Sequence, residues 1–427
     1  MNSSVAGVAK GTAINLATRL LAVGGVLLIT AFTARLGTAT QGAFALFTSV
    51  EGVLLALLSG FGIALARRVS HHGEQPRALL GAVVLACLGL GALAALLLWA
   101  LSTVGPPAYS MLWLLALAAP VLLLAPNIAG VWLGEGRMAP MAAVSLAPPW
   151  LTLLGLAALL LVQATTLPQV LAAWVLAKVL VGAGVLALLW RAGRLAAPDF
   201  GALRGELPFI ATIGVTNLIG LLNYRVGLFV VERLLGLSAT GVYSIAVVVA
   251  ELLWFVSGSL TQAVYGRIGT PDRARAAATT VRVVHLSLAA LLLVAPLLWA
   301  LASFVIPFVL GPAYAASLPL LALLLPGALV FGGASALSAY FTNHAGRPQV
   351  PARVAALSLA LNATLALVLV PRLGMAGAAL AASLSYAVAV AVLGWCFARH
   401  AGLPAAALRP GAQLGRDLLA LRRGGAS

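Results

Sequence analysis

Five charged side chains lie inside segments that are otherwise almost free of charge: Arg19, Glu51, Lys178, Arg225 and Glu251. An ionised group near the centre of a bilayer costs roughly 2.5–3.5 kcal/mol on insertion scales. Each therefore needs a partner, a water-filled space or a route to the surface. The two chemistries on offer are distinct. A basic residue lining such a space attracts anions, and a guanidinium matches phosphate oxygens with paired hydrogen bonds. A mid-membrane carboxylate can carry a proton or hold a cation.

The neighbours of these residues sharpen the alternatives. Arg19 follows Thr12 and Asn15 at spacings of three and four, which places all three on one helix face. That stripe reads as a polar, cationic lining at the inner half of a cavity, or as an arginine that snorkels to the near surface. Arg225 borders a second stripe, Asn217 and Tyr224, with Thr216 and Asn223 beside it. It too either faces a cavity or snorkels outward. Lys178 sits mid-segment in AAWVLAKVLVGAG, too deep to snorkel, where it binds a ligand or pairs with Glu51 or Glu251. Glu251 shares a face with Ser244 and Gly258, each seven residues away. Glu51 and Glu251 are candidates for ion coupling, with a helix-to-helix hydrogen bond or an ion pair as the structural alternative.

These residues must be carried by membrane-spanning helices. The 427 residues are 63% hydrophobic and 8% charged, with mean hydropathy +1.10, whereas soluble domains carry about a quarter charged residues. A spanning helix needs about 20 apolar residues. Twelve such segments are expected, at 12–34, 42–66, 78–100, 110–133, 141–162, 169–190, 207–231, 239–265, 281–303, 314–342, 350–371 and 374–398. The first is read as an uncleaved helix, because Arg19 interrupts it and no small-residue cleavage site follows. Cys87 and Cys396 each lie in an apolar run, so no disulfide framework is indicated. The five histidines have no metal-ligand spacing, and His71-His72 reads as a solvated loop pair. No cofactor, metal centre or catalytic residue is expected.

The net charge of +16 could suggest nucleic acid, but its distribution argues otherwise. With a cytoplasmic N-terminus, 19 of the 25 Lys and Arg fall in inner loops and tails and 3 in outer loops. That bias fits the positive-inside rule and places both termini in the cytoplasm. The basic residues thus report topology and contact with anionic lipids, not a nucleic-acid partner.

The chain also repeats itself. Residues 33–69 echo 232–268: Gly42 and Phe44 answer Gly241 and Tyr243, Arg68 answers Arg267, and each copy has one Glu in the middle of its helix, Glu51 and Glu251, at near-equivalent places. GEGRMAPMAAVSLA (134–147) echoes HAGRPQVPARVAALSLA (344–360). The repeat is six helices, which implies parallel halves with a substrate site between them. Three regions follow: a lobe at 1–200, a lobe at 201–400 and a basic cytoplasmic tail at 401–427. Spans four and ten occupy matching places and carry Pro120, Pro126, Pro319 and Pro326 with Gly327, Gly332 and Gly333. Broken helices there point to hinges or a binding site.

The stretch NYRVGLFVVERLLGLSATGVYSIAVVVAELLWFVSGSLTQAVYGRI (223–268) resembles the seventh and eighth helices of bacterial polysaccharide repeat-unit flippases of the Wzx type. VWLGEGRMAP, LLLPGALVFGGASALSAYF, HAGRPQVPARV and LVLVPRLGMAGAALAASLSYAV match in order, over about residues 8–405. Their order and spacing are those of the multidrug/oligosaccharidyl-lipid/polysaccharide exporter superfamily. The resemblance implies an all-α polytopic fold of two six-helix lobes, like the multidrug and toxic-compound extruders. It implies alternating access in the bacterial inner membrane and a lipid-linked oligosaccharide as substrate, carried on undecaprenyl diphosphate. It further implies polysaccharide assembly proteins as partners and a coupling ion, proton or sodium. Asn15, Arg19, Lys178, Asn217, Tyr224 and Arg225 are then the substrate-binding candidates, and Glu51 and Glu251 the ion-coupling ones. One departure stands out. Many relatives carry an Asp just after the Arg of the N-Y-R stretch, where this chain has Val226-Gly227, so that role is lost or moved to Glu251. A drug extruder of the same fold is the rival reading. A membrane glycosyltransferase or polymerase is disfavoured, because the outer loops are short and hold one acidic residue, Glu232.

Overall fold

A computed structural model describes residues 2–72, 77–163 and 165–408, with side chains throughout except at 2–16, 19, 71, 72, 405 and 406. Among the described residues it is all helix, without strands. Eleven helical stretches are long and apolar enough to cross a membrane. They coincide with the eleven segments expected from 42–66 onward. The remaining segment falls on α1 (Asn2–Arg35), whose described apolar stretch is Leu20–Arg35. The chain is a multi-pass membrane protein.

Several spans are built from more than one helix. Span 2 is α2 (Thr38–Leu58) and α3 (Gly60–His72), parted at Ser59. His71 and His72 therefore close a helix rather than lie in a loop. α4 (Arg77–Val104) is span 3, and span 4 is α5 (Leu112–Leu122) and α6 (Leu124–Gly134). α7 (Met138–Leu161), α8 (Leu167–Arg191) and α9 (Phe200–Leu235) follow. Span 8 is α10 (Leu237–Glu251) and α11 (Leu253–Ala263), followed by the single turn α12 (Tyr265–Ile268). α13 (Arg273–Val305) runs into a wide turn at Ile306–Leu310. Span 10 is α14 (Ser317–Gly333), α15 (Ser335–Ala339) and a wide turn at Tyr340–His344; α16 (Gln349–Leu373) and α17 (Met375–Ala401) complete the set.

The chain packs as two units, Met1–Leu221 and Leu222–Ser427. The division lies inside α9, later than the boundary near 200 that the repeat length suggests. The reason is local: the first half of α9 belongs to the first unit. Gly214 of α9 lies where an added Cβ would meet the Leu57 carbonyl at 2.1 Å, and Gly60 lies as close to the Ile210 carbonyl, at 2.2 Å. The repeat is visible in the backbone of each unit. Both use a Pro-Ala-Tyr 3-10 turn before the fourth helical span of the unit, at Pro107–Tyr109 and Pro312–Tyr314. Both place a left-handed glycine before an arginine after that span, Gly136 (φ 68°) and Gly346 (φ 60°). Residues with a Cβ rarely hold that conformation.

Spans 4 and 10 are the most buried of their units, with 67% and 61% of their central residues inside the protein. They are core helices. Their prolines do less than the sequence suggests. Pro319 stands in the first turn of α14, where no N–H is needed. The interruptions fall at Leu123, just before Pro126, and at Ala334, after Gly332-Gly333. In the first unit a single buried side chain secures the interruption. Asn127 donates from Nδ2 to the Leu123 carbonyl at 2.9 Å and accepts the Gly62 N–H at 2.9 Å. It thereby ties the break in span 4 to the break in span 2. Gly130 packs on Gly62 so tightly that a Cβ would lie 1.9 Å from its carbonyl. Apolar layers surround this tie, including Phe61, Leu65, Leu124 and Ile128. In the second unit Ile268, Leu337, Tyr340, Phe341 and Phe397 form an equivalent layer.

Replacing Asn127 with Leu strands one donor and one acceptor in an apolar interior. The expected loss is on the order of 2 kcal/mol, read as a lowered thermal unfolding midpoint of the purified protein. Ser102→Ala, which removes an exposed hydroxyl bonded to its own helix, leaves the midpoint unchanged.

Candidate functional site

The intramembrane charges form two ion pairs, one in each unit, and the pairs differ in kind. In the first unit, α2 delivers Glu51 and α8 delivers Lys178 and Trp174, four residues apart on one helix face. The Glu51 carboxylate receives the Lys178 ammonium on Oε1 and the Trp174 indole N–H on Oε2 at 2.7 Å. The same ammonium lies over the Trp174 ring, 4.0 Å from its centre, and Phe44 packs edge-on against that ring at 5.3 Å. Glu51 is 2% exposed and the Lys178 side chain 19%. Both carboxylate oxygens are engaged, so this is a closed site.

In the second unit, Arg225 of α9 meets Glu251 at the end of α10. Arg225 Nη2 donates to Glu251 Oε2 at 3.2 Å. Nη1 stands 3.1 Å from Oε1, but without the alignment of a hydrogen bond, so Oε1 accepts none among the described residues. The two side chains are 23% and 22% exposed. This pair is held by one good bond and remains reachable.

Aromatic residues wall the second pair. Tyr224 packs against Trp254 at 4.6 Å and Phe331 at 5.9 Å, and Tyr386 lies 4.8 Å from Phe331. A cavity of about 20 Å³, room for about one water, is lined by Tyr224, Tyr243, Glu251, Trp254, Asn362 and Tyr386. Asn362 donates from Nδ2 to the Asn223 backbone carbonyl at 3.0 Å. The side-chain oxygens of Asn362 and Asn223 are buried and, among the described residues, accept no hydrogen bond. Glu251 Oε1 and Asn362 Oδ1, both of residues lining this cavity, are thus two buried oxygens that lack a donor among the described residues. Such a set accepts a proton, a water or a cation. At Gly227 an added Cβ would lie 2.8 Å from the Tyr243 hydroxyl. Tyr243 occupies the space.

The other sequence candidates divide. Asn15 and Arg19 lie in α1, outside the residues whose side chains are described. Asn217 is exposed and donates to the Ser59 hydroxyl at 2.8 Å, at the break in span 2. Thr216 bonds back to its own helix at the Thr212 carbonyl. Asn217 and Tyr224 therefore do not act as one stripe: Asn217 serves the first unit and Tyr224 the aromatic wall of the second. The residues that sequence reasoning missed are Trp174, Asn362 and Tyr386. Trp174 was signalled by its four-residue spacing from Lys178, and Asn362 by being an amide within an apolar run. Both cysteines are free thiols. Among the described residues, no three His, Cys, Asp or Glu side chains gather as a metal site.

Solved structures share this architecture. An inward-facing multidrug-resistance MATE family transporter of the MOP superfamily aligns over 92% of this chain and 98% of its own, with TM-score 0.77 and 15% identity. Lipid II flippase MurJ in an inward closed conformation aligns over 90% and 87%, with TM-score 0.72 and 14% identity. A MOP superfamily transporter from Pyrococcus furiosus, described as having a binding pocket of reverse polarity, aligns over 93% and 95%, with TM-score 0.64 and 15% identity. The chain has the MOP transporter fold. No family model matches it, and no curated protein matches by sequence. At this identity the likeness speaks for fold, while substrate must be argued from the site.

The closed pair predicts strong coupling. Lys178→Met or Glu51→Gln alone leaves a partner uncompensated in the interior and costs about 3–5 kcal/mol. The double substitution recovers most of that loss. Thermal unfolding of the three variants measures it, and simply additive losses would mean that the pair is not coupled.

Proposed function

We propose that the chain is a lipid-linked oligosaccharide flippase of the bacterial inner membrane, moving an undecaprenyl-diphosphate-linked repeat unit by alternating access. The observation that carries this reading is the charge inventory. Both intramembrane carboxylates are already held by basic side chains, so neither is free to draw a cationic drug. Arg19 adds a further positive charge within the spans. The balance favours an anionic cargo, and the fold shared with a lipid II flippase supports a lipid-linked one. The multidrug relatives keep a drug or metabolite extruder as the alternative on the same fold.

In this mechanism Arg225 is the exchangeable cation. A diphosphate offers it two oxygens in better alignment than Glu251 does. Arg225 then transfers its bonds to the phosphate, and the released Glu251 carboxylate takes up a proton or sodium. The unpaired oxygen of Asn362, which lines the same cavity as Glu251, suits such a cation. Arg19 and Asn15, which the sequence spacing assigns to one helix face, are the further substrate-binding candidates in this reading, with Asn217 and Tyr224 as candidates for sugar contacts. Lys178 is committed to Glu51, and their pair holds α2 to α8.

Lipid extracts of cells lacking the protein test the reading. Undecaprenyl-diphosphate-linked oligosaccharide is expected to build up in the cytoplasmic leaflet. Arg225→Ala, at normal protein level, is expected to slow transport about tenfold or more, the loss of one charge-assisted contact. No build-up in the deletion overturns the flippase reading, and a gain of drug sensitivity would then favour the extruder.

A further inference from the structure

We propose that the arginine-rich end of the second unit carries a built site for the phosphate of an anionic phospholipid headgroup, formed by Arg273, Arg347, His344 and His400. Three elements bring these residues together around Tyr340, a fully buried residue at the end of α15. The His400 imidazole, in the last turn of α17, meets the Tyr340 hydroxyl through Nδ1 at 3.1 Å. His344 packs on the Tyr340 ring at 4.9 Å and donates from Nδ1 to the Thr270 carbonyl at 2.7 Å. In both imidazoles Nδ1 is thus committed and Nε2 is left for a ligand. Arg273 stands exposed at the start of α13, three residues after Thr270, and Arg347 donates its backbone N–H to the Phe341 carbonyl at 2.8 Å.

The first unit serves as an internal control. Its corresponding arginines are neutralised from within. Glu135 pairs with Arg194 and lies 3.6 Å from Arg137. Glu206 accepts from Arg68 at 2.9 Å. The echo between 134–147 and 344–360 aligns Gly136-Arg137 with Gly346-Arg347, and both glycines have the same left-handed backbone. Glu135 aligns with Ala345. The second unit thus keeps the arginine and the turn but has lost the carboxylate. Of the three carboxylates between residues 222 and 408, Asp272 holds Arg275 at 3.1 Å, Glu251 holds Arg225 in mid-span, and Glu232 lies at the other end of α9. Among the described residues no ion pair engages Arg273 or Arg347. The segment beyond Leu408 brings four arginines and one aspartate, which adds to the positive charge.

The depth of the cluster selects a lipid. Trp395 stands on α17 little more than a turn before His400, 56% exposed, with the Arg399 guanidinium over its ring at 5.4 Å. Exposed tryptophans near span ends sit at headgroup level. A phosphate at that depth belongs to a lipid, and two arginines with the His400 Nε2–H supply charge-assisted bonds to its oxygens, His344 adding a second N–H when its ring is protonated.

The test uses the purified full chain in detergent supplemented with phosphatidylglycerol, phosphatidylcholine or millimolar inorganic phosphate. Thermal unfolding and native mass spectrometry read lipid binding. Phosphatidylglycerol is expected to raise the unfolding midpoint and phosphatidylcholine is not. Ala345→Glu, which restores the carboxylate of the first unit, is expected to weaken phosphatidylglycerol binding about tenfold, one charge-assisted contact being worth roughly that factor. Arg347→Ala should do the same, and carries the test if Ala345→Glu fails to fold. Arg137→Ala in the first unit should leave binding as in the wild type. Unchanged phosphatidylglycerol binding in Ala345→Glu and Arg347→Ala overturns the site. Inorganic phosphate reproducing the whole effect, with the same sensitivity to these variants, overturns the lipid assignment in favour of a soluble phosphate.

Discussion

A polar group inside hydrocarbon has no water to fall back on, and this constraint organises every notable contact in the chain. It explains why Asn127 sits where two helices break: the broken turns expose a carbonyl at Leu123 and an amide at Gly62, and one side-chain amide answers both. It explains why glycines gather at those breaks, since backbone can only reach backbone where no Cβ intervenes. It also explains the ion pairs. Glu51 is tolerable at 2% exposure because an ammonium and an indole N–H together satisfy both of its oxygens.

The two units solve the same problem with different residues. Glu51 and Glu251 occupy near-equivalent places in the repeat, one residue out of register, yet Glu51 reaches to α8 and Glu251 to the second half of α9. The consequence is a difference in reach. Lys178 sits on a helix face with Trp174, so its ammonium is trapped between carboxylate and ring. Arg225 has a longer, forked head whose second nitrogen is misaligned with Glu251 Oε1. A guanidinium held by one good bond can change partner without leaving a bare charge behind, whereas an ammonium already shared between a carboxylate and a ring cannot.

Much of this was legible in the sequence, because hydrocarbon length and loop charge are written along the chain. The segment expected at 169–190 is the helix Leu167–Arg191, and that at 374–398 is Met375–Ala401. Where the limits moved, polar residues had hidden a helix: α13 starts at Arg273, eight residues before the apolar run, and α9 starts at Phe200 with Glu206 bonded to Arg68. The breaks at Ser59 and Leu252 were not legible, since neither is marked by a proline, whereas that at Ala334 follows the Gly332-Gly333 pair in a span already read as broken. The site was legible as a set of residues but not as a set of pairs. Lys178 had two carboxylates to choose from, and only packing at a separation of 127 residues decides for Glu51. The neighbours of Asn217 and Tyr224 were not legible for a related reason: along α9 the one bonds Ser59 and the other packs on Trp254.

Repetition gives this chain a comparison that a single sequence rarely offers. Where the two units keep a turn, a glycine and an arginine but differ in one carboxylate, local folding cannot be the reason for the difference, because the backbone at Gly136 and Gly346 is alike. What differs is how charge is balanced. The first unit closes its charges on one another, at Glu51, Glu135 and Glu206. The second leaves Glu251 partly engaged and, among the described residues, Arg273 and Arg347 without a carboxylate. A closed pair contributes rigidity and nothing else, because any ligand must first break it. An open pair can exchange partners at little cost, so groups meant to bind and release belong in the second unit, and the first is free to serve as the stable frame.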